Sequence, residues 1–224
     1  MTKIFIATPA FDGKVTVPYA CSLCDTRLYL AANAIESVVR IHTSGSLLVR
    51  ERNDLIKAFL ETDSTHMMCI DSDIGWNPLD IKRLLDMNED FVASLYPARG
   101  EKLFLFRGVY GENKQMSVSE KKLLEMEYIP AGFMLLKRCV LEKMIECFPE
   151  LYYEPKDESL KHTKGYCLFD TEIWNGEFWG EDYVFCRRAR QAGFKIWIDP
   201  TISLNHAGIQ GAFVECLSDK KEGS

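Results

Sequence analysis

The sequence predicts an α/β fold, a three-layer α/β/α sandwich in which helices cover both faces of a mostly parallel central sheet. Two observations predict this architecture. Short apolar segments rich in Val and Ile alternate, along the first half of the chain, with longer segments whose apolar residues recur at helical spacing. Apolar residues also make up 47% of the 224 residues, which is enough for one ample core.

The first part of the chain supplies two predicted strands and two predicted helices. Residues 3–8 form an apolar run typical of a buried strand, and the loop after them contains Pro18 as a breaker. The apolar segment 20–36 predicts a helix. Residues 37–42 are rich in Val and Ile and predict the second strand, whereas residues 48–60 show helical spacing.

The next elements surround a polar interruption. Residues 66–70 form a short apolar run that predicts a strand. Pro78 favours the first turn of a helix that extends to about residue 85. Residues 91–95 predict the fourth strand of the parallel set, and residues 103–110 indicate a further strand.

The last part of the chain completes the predicted sandwich. A strand is predicted at 129–136, a helix at 140–147, and a long mobile loop at 150–178 because that stretch mixes Pro, Gly, Lys and aromatic residues. Residues 181–191 predict a helix, and residues 195–198 predict the last strand.

Charge and composition exclude some partners. The net charge of −6 argues against nucleic acid, because neutralising phosphates requires a basic face. No run of about 18 apolar residues predicts a membrane span. Cys21 and Cys24 lie three residues apart in the predicted helix 20–36, so we expect them to share its buried face as reduced thiols and the protein to be cytoplasmic.

Two carboxylates, Asp71 and Asp73, directly follow the predicted strand 66–70. The period-2 geometry of an extended segment places both on one side of the chain, and such sheets bind ligands at the carboxyl ends of their strands. Two like charges this close repel each other unless a cation lies between them. A divalent cation carrying a diphosphate meets that need; a simple polar turn is the alternative.

Two more carboxylates, Glu181 and Asp182, open the predicted helix 181–191 after Gly180. The helix macrodipole favours an ionised carboxylate at this end, and a positioned carboxylate can accept a proton from a hydroxyl. Helix capping alone would use the same residue types. The pair is therefore predicted either to act in acid–base chemistry or only to cap the helix.

Two single residues are weaker candidates. His206 lies in a polar segment after the last strand and could be a third metal ligand or an exposed loop residue. Arg52, with its neighbour Asn53, lies early in the helix 48–60 and could contact a phosphate or a base, or could belong to a solvated helix face.

In chain order these segments resemble the family 2-like branch of the GT-A glycosyltransferases. The resemblance spans residues 3 to about 208 and is carried by Thr8-Pro9-Ala10, Met68 to Asp73, Ile129 to Arg138, Gly180 to Phe194, and Asp199-Pro200 with His206. Residues 100–126 and 150–178 match nothing in the family pattern, and acceptor choice usually depends on such regions.

The resemblance implies a metal-dependent, inverting glycosyltransferase. It would move a sugar from a nucleotide-diphosphate sugar, with a UDP-sugar favoured, to a hydroxyl of a glycan or glycoconjugate acceptor, using Mn²⁺ or Mg²⁺. The fold implied is the GT-A form of the α/β/α sandwich. The site residues implied are Asp182 as general base, Glu181 as its neighbour that orients hydroxyls, Asp71, Asp73 and His206 as metal ligands, and Thr8, Arg52, Asp71 and Gly132 as donor contacts.

Other functions fit the sequence less well. A sugar-phosphate nucleotidyltransferase would need a Gly- and Arg-rich loop after the first strand, which Phe11-Asp12-Gly13-Lys14 does not provide. A non-catalytic glycan-binding module would have no need of the intact set of acidic residues and His206. We expect residues 1–217 to form the single domain, and the polar segment 218–224 to be a tail or the edge of a longer protein with further domains.

Overall fold

The computed structural model of the chain describes residues 1–43, 47–99, 103–112, 115–159, 164–206 and 209–213. The predicted domain end at 217 and the tail 218–224 lie outside these residues. The helices are α1 (Val17–Ala32), α2 (Leu48–Leu60), α3 (Pro78–Met87), α4 (Arg138–Cys147) and α5 (Glu181–Gln191), with a 3-10 turn at Pro149–Leu151. The strands are β1 (Lys3–Pro9), β2 (Glu36–His42), β3 (His66–Ile70), β4 (Ile74–Gly75), β5 (Phe91–Ala93), β6 (Arg107–Gly108), β7 (Leu124–Tyr128), β8 (Phe133–Lys137), β9 (Tyr152–Tyr153), β10 (Gly165–Tyr166), β11 (Glu172–Trp174), β12 (Glu177–Trp179), β13 (Ile196–Ile198), β14 (Ser203–His206) and β15 (Ile209–Ala212).

The central sheet has eight strands in the order β2-β1-β3-β8-β5-β13-β7-β6. The pairs β1–β2, β1–β3 and β5–β13 are parallel, whereas β8 and β7 run antiparallel to each of their neighbours. Six of the eight strands therefore point in the same direction. The four strands predicted to be parallel, now β1, β2, β3 and β5, all belong to this set, although β8 separates the last two.

Alternate residues of the central strands face two different cores, which gives the predicted three layers. Helices α2, α4 and α5 pack on one face through a cluster that includes Phe5, Phe59 and Phe185. Helices α1 and α3 pack on the other face through a cluster that includes Ile4, Tyr19 and Leu84. Among the described residues, no helix has the length and apolar character needed to cross a membrane.

Helix α1 differs from its prediction in both position and burial. It begins at Val17 because Thr16 caps it and because Pro18, in the first turn, needs no hydrogen-bond acceptor. Cys21 and Cys24 are exposed, so the prediction that they are buried was wrong. The buried face carries hydroxyl groups instead, and the two N–H groups of Trp76 donate to Ser22 and Thr26.

Three other predictions need correction. In the strand predicted at 129–136, only residues 133–136 belong to a strand, β8. Residues 129–132 connect it to β7, which was not predicted, and Pro130 cannot donate to a ladder. The predicted loop 150–178 contains the pair β9–β10 and the hairpin β11–β12 in its described part. In the predicted strand 103–110 only Arg107–Gly108 is paired within a sheet.

Candidate active site

A cleft of about 580 Å³ lies at the edge of the sheet where β1, β3 and β5 end. Because these strands point the same way, the segments that follow them meet there, as in other open α/β sheets. The cleft is lined by Pro9, Phe11, Asp12, Leu48, Asp71, Ser72, Asp73, Tyr96, Arg99 and His206. Three predicted site residues, Asp71, Asp73 and His206, are thus brought together.

His206 reaches Asp73 through a small second sheet. Strand β14 pairs with β4, which begins directly after Asp73, and the register places His206 opposite Ile74. The His206 Nε2 atom consequently lies 3.3 Å from the Asp73 Oδ2 atom. The other ring nitrogen, Nδ1, donates to the carbonyl oxygen of Pro97 at 2.7 Å. In the neutral ring this bond places the proton on Nδ1 and leaves Nε2, the nitrogen near Asp73, without one.

Asp73 and His206 fit a divalent cation as a pair of ligands. In the described part of the chain, no three His, Cys, Asp or Glu side chains lie close enough together to hold a metal ion by themselves. Two ligands on one octahedral ion lie about 3 Å apart, which is close to the 3.3 Å between the Asp73 and His206 atoms. Mg²⁺-type ions commonly take only one or two carboxylates and complete their shell with phosphates and water. Arg99 contacts the same oxygen of Asp73 from a largely exposed position.

Asp71 is held by a buried arginine that also holds Glu181. Arg52 Nη2 donates to Asp71 Oδ1 at 2.8 Å, and Arg52 Nε donates to Glu181 Oε1 at 3.3 Å. The arginine side chain is only 5% exposed. Glu181 and Asp182 do not line the cleft itself; Arg52 connects Glu181 with the cleft through Asp71.

Asp182 lies in the first turn of α5. Gly180 is the N-cap residue, and Gly193, with a φ of +97°, follows the helix end in a conformation that suits glycine. The Asp182 carboxylate accepts a hydrogen bond from the Tyr183 N–H at 2.8 Å. Burial, followed by the charge of Glu181, nevertheless raises the pKa of Asp182 to about 6. The expectation that the helix dipole governs this carboxylate is therefore corrected, although Asp182 stays mostly ionised at neutral pH.

Tyr96 is a buried residue that interacts with the carboxylates of Asp71 and Asp182. Its hydroxyl accepts the Gly132 N–H at 3.1 Å, and its ring meets the His206 ring edge to face at 5.0 Å. Burial raises the pKa of Tyr96 well above its ordinary value, and the charges of Asp71 and Asp182 raise it further. The Tyr96 phenol thus interacts electrostatically with both Asp71, at the end of β3, and Asp182, in α5.

Three predicted donor contacts have partners inside the protein. Thr8 is fully buried, and its hydroxyl is 2.6 Å from the Tyr19 hydroxyl. A Cβ atom on Gly132 would lie 2.6 Å from Asp71 Oδ2 and closer still to the Tyr96 hydroxyl, so this glycine makes room for those side chains. Like Arg52, neither Thr8 nor Gly132 is among the residues that line the cleft, and the direct contact of all three with a nucleotide stays a prediction.

Tyr96 and Arg99 were missed by the sequence analysis. Both follow β5, which points in the same direction as β3, so the rule that strand ends share one edge could have indicated them. Asn53, considered with Arg52 as a possible phosphate or base contact, binds the protein backbone instead. Its side-chain amide pairs with both backbone groups of Phe169 at 2.9 Å, a contact across 116 residues that no local pattern indicates.

No protein-family model matches the sequence, and no curated protein matches it. The chain is similar to S. aureus TarS 1–349 in complex with UDP-GlcNAc, with 14% identity over 89% of this chain and 56% of that chain and a TM-score of 0.48. It is similar to a glycosyltransferase involved in the glycosylation of the major capsid of PBCV-1, with 14% identity over 65% of each chain and a TM-score of 0.37. It is also similar to GalNAc-T7 with UDP, GalNAc and Mn²⁺, with 12% identity over 97% of this chain and 48% of that chain and a TM-score of 0.45. The chain thus spans less than two thirds of each of these structures.

Proposed function

We propose that the chain is a glycosyltransferase that moves a sugar from a nucleotide-diphosphate sugar to an acceptor hydroxyl in a single inverting displacement. A UDP-sugar is the donor we favour, and a glycan or glycoconjugate is the acceptor class. The proposal rests on the organisation of the site and on the order of its motifs along the chain.

One observation carries the proposal. The guanidinium of Arg52 bonds Asp71, at the end of β3, and Glu181, at the start of α5, so two segments 110 residues apart share one cation. This contact joins the strand-end carboxylate Asp71 to the first turn of α5, which also carries the candidate base Asp182, and so supports one shared site. A polar turn or a helix cap would not need this connection across the molecule.

Asp182 is the proposed general base. With a pKa near 6, it is mostly ionised at pH 7 and is more basic than an ordinary aspartate, which suits proton transfer near neutral pH. It would take the proton of the acceptor hydroxyl as that oxygen bonds to the anomeric carbon and the nucleoside diphosphate leaves. Glu181, fixed by Arg52, would orient hydroxyl groups next to it.

Asp73 and His206 are the residues proposed to hold Mn²⁺ or Mg²⁺, with Asp71 beside them. When bound, such an ion neutralises the charge that develops on the leaving diphosphate. Within the chain, the Pro97 carbonyl fixes the His206 ring, and the pairing of β14 with β4 fixes its distance from Asp73. Thr8, Arg52 and Gly132 would shape the donor side of the cleft.

Donor binding can be tested before the acceptor is known. A thermal-shift screen of nucleotide sugars, each with and without Mn²⁺, should show stabilisation that needs the ion, because a ligand at about 100 times its Kd contributes about 2.7 kcal/mol. Equal stabilisation in excess chelator would contradict the metal requirement.

The base is tested with Asp182→Asn, which keeps the side-chain size and removes basicity. Release of nucleoside diphosphate from the donor identified in the screen, with candidate acceptors, should fall by about 10²-fold or more while donor binding stays near normal. The wild-type rate should rise with pH through about 6 as Asp182 loses its proton.

Asp80→Asn is the matched control, since Asp80 is a first-turn acid in α3 that serves a capping box. That variant should release nucleotide at the wild-type rate. A wild-type rate in Asp182→Asn, or a product with retained anomeric configuration, would contradict the assignment of Asp182 as the general base of an inverting displacement. Pyrophosphate release from a nucleoside triphosphate and a sugar phosphate would favour the nucleotidyltransferase alternative.

A further inference from the structure

The buried position of Arg52 requires compensation of its charge. An unpaired guanidinium in the protein interior costs several kcal/mol, and a well-oriented set of carboxylates offsets that cost. Asp71 and Glu181 supply such a set from two different elements, at 2.8 Å and 3.3 Å. Burial opposes the charged form of Arg52, but these two carboxylates outweigh it and raise the arginine pKa, so Arg52 is a permanent cation.

The guanidinium is also fixed from the sides. It lies over the ring of Phe169 at 5.5 Å, and that ring stacks on Phe185 of α5 at 4.2 Å with an interplanar angle of 10°. Asn53, the next residue of α2, holds the backbone of Phe169 with two hydrogen bonds of 2.9 Å. Helix α2 and helix α5 are thus joined around Arg52 by packing and by hydrogen bonds.

Asp182 experiences two opposite charges from this arrangement. Burial and the Glu181 carboxylate raise its pKa, while Arg52 and the backbone N–H groups lower it. Among the described residues, Asp182 also interacts with Tyr96, Tyr183 and Cys186. Burial raises the pKa of each, so they are neutral near pH 7. Arg52 and Glu181 are thus charged side chains that shift the pKa of Asp182 in opposite directions.

We propose that Arg52 is a positioning residue for the transfer reaction: its guanidinium holds Asp71 and Glu181 in one arrangement and thereby sets the charge that surrounds Asp182. This role rests on the function proposed above. It differs from the direct nucleotide contact expected from the sequence, because the hydrogen bonds of Arg52 go to carboxylates of the protein itself.

The test measures the pKa of Asp182 in the unliganded protein by carboxyl-carbon NMR, in wild type, Arg52→Gln, Arg52→Lys and Glu181→Gln. Loss of the positive charge in Arg52→Gln should raise the pKa from about 6 to about 7, because an opposite charge nearby favours ionisation. Glu181→Gln should lower it. Arg52→Lys keeps the charge and should stay near 6, but it lacks the planar fork that serves two carboxylates.

Kinetics give the second readout. The acid limb of the pH profile of kcat/KM should move up by about one pH unit in Arg52→Gln and stay in place in Arg52→Lys, as the charge dictates. In Arg52→Lys the value of kcat should fall more than that of KM rises, since positioning is lost and not the contact with the donor. A direct nucleotide contact would show the reverse, a raised KM with little change in kcat.

A double variant covers the case in which Arg52→Gln does not fold. Arg52→Gln with Glu181→Gln removes opposite charges together, which is tolerated better than breaking the pair. Its Asp182 pKa should lie above that of Glu181→Gln alone. An equal pKa in those two proteins, or an unchanged pKa in a folded Arg52→Gln, would overturn the proposal.

The two proposals can fail separately. The NMR measurement needs neither donor nor acceptor, so a responsive pKa in a protein that transfers no sugar would refute the proposed function and leave the role of Arg52 intact. Sugar transfer by a protein whose Asp182 pKa does not change when Arg52 is replaced would support the proposed function and refute the role of Arg52.

Discussion

Asp71 and Asp73 lie two residues apart and each contacts an arginine. The two arginines differ in their location in the fold and in the exposure of their side chains. Arg52 belongs to a helix, its side chain is 5% exposed, and it holds a second carboxylate. Arg99 belongs to the loop after β5, and its side chain is 73% exposed. A buried pair is costly to break, whereas an exposed pair contributes little. The first aspartate therefore has a permanent counter-charge and the second has an exchangeable one.

The largest expected effect compares the two arginines directly. Arg52→Ala should lower the free energy of unfolding by about 3–5 kcal/mol, because it leaves carboxylates without their buried partner. Arg99→Ala should change it by less than about 1 kcal/mol. Urea unfolding of both variants at pH 7.5 measures the difference. Similar losses in the two proteins would show that burial does not distinguish these pairs.

Asp182 differs from Asp71 and Asp73 because it accepts a hydrogen bond from the backbone N–H of Tyr183. Its folded-state pKa of about 6 exceeds the ordinary 3.8, so the folded protein binds the extra proton between these values. The free energy of unfolding consequently falls as pH rises through that window. Asp182→Asn should remove this penalty and stabilise the fold at pH 7.5 by up to about 3 kcal/mol.

At pH 4 the same substitution should have little effect on stability, because the folded wild-type carboxyl is then protonated. Denaturant unfolding of wild type and Asp182→Asn at both pH values tests this. A gain that is identical at pH 4 and pH 7.5 would rule out the raised pKa as its cause.

Gly132→Ala tests how firmly the Asp71 side is fixed. The added methyl would lie 2.6 Å from Asp71 Oδ2, and Arg52 holds that carboxylate in place. Such crowding should cost about 1–3 kcal/mol. Gly211→Ala is the control, because within the described part of the chain its new Cβ would meet only the Phe104 ring, at 3.8 Å. Thermal unfolding of both variants is the measurement, and equal melting temperatures would mean that Asp71 moves freely.

The smallest effect concerns the exchangeable cation. If Arg99 and a metal ion compete for Asp73, Arg99→Ala should bind Mn²⁺ up to about fivefold more tightly in the absence of donor, since an exposed ion pair is worth at most about 1 kcal/mol. Asp73→Asn should bind it far more weakly. Isothermal titration calorimetry gives both constants, and unchanged affinity in Arg99→Ala would separate that arginine from the metal site.

Much of the scaffold is predictable from sequence because its signals are local. The bounds of β3, α2 and α5 were predicted to the residue, since each is a clean apolar run or a helical repeat with its own boundaries. Helix α1 defeated the same logic. Its buried face carries Ser22 and Thr26, which bind Trp76, so apolar patterning pointed to the wrong side.

The sequence predicted which residues belong to the candidate site better than it predicted the contacts between them. The strand-end rule predicted the location of Asp71 and Asp73. His206, a separate candidate from the sequence, lines the same cleft from β14. The Arg52–Glu181 bond, by contrast, spans 129 residues and depends on how α2 and α5 pack. The raised pKa of Asp182 depends on burial in the assembled protein. Neither property is encoded in a short motif.

The strand order also has a consequence for biosynthesis. Strand β13 inserts between β5 and β7, yet it is the last strand of the central sheet to leave the ribosome. Until residues 196–198 emerge, the nascent chain exposes Val92 and Ala93 on one open edge and Leu124 to Met126 on another. At about 5–20 residues per second this interval lasts several seconds. Unpaired strand edges promote aggregation, so this protein should depend on chaperones during synthesis more than a fold whose sheet closes in chain order.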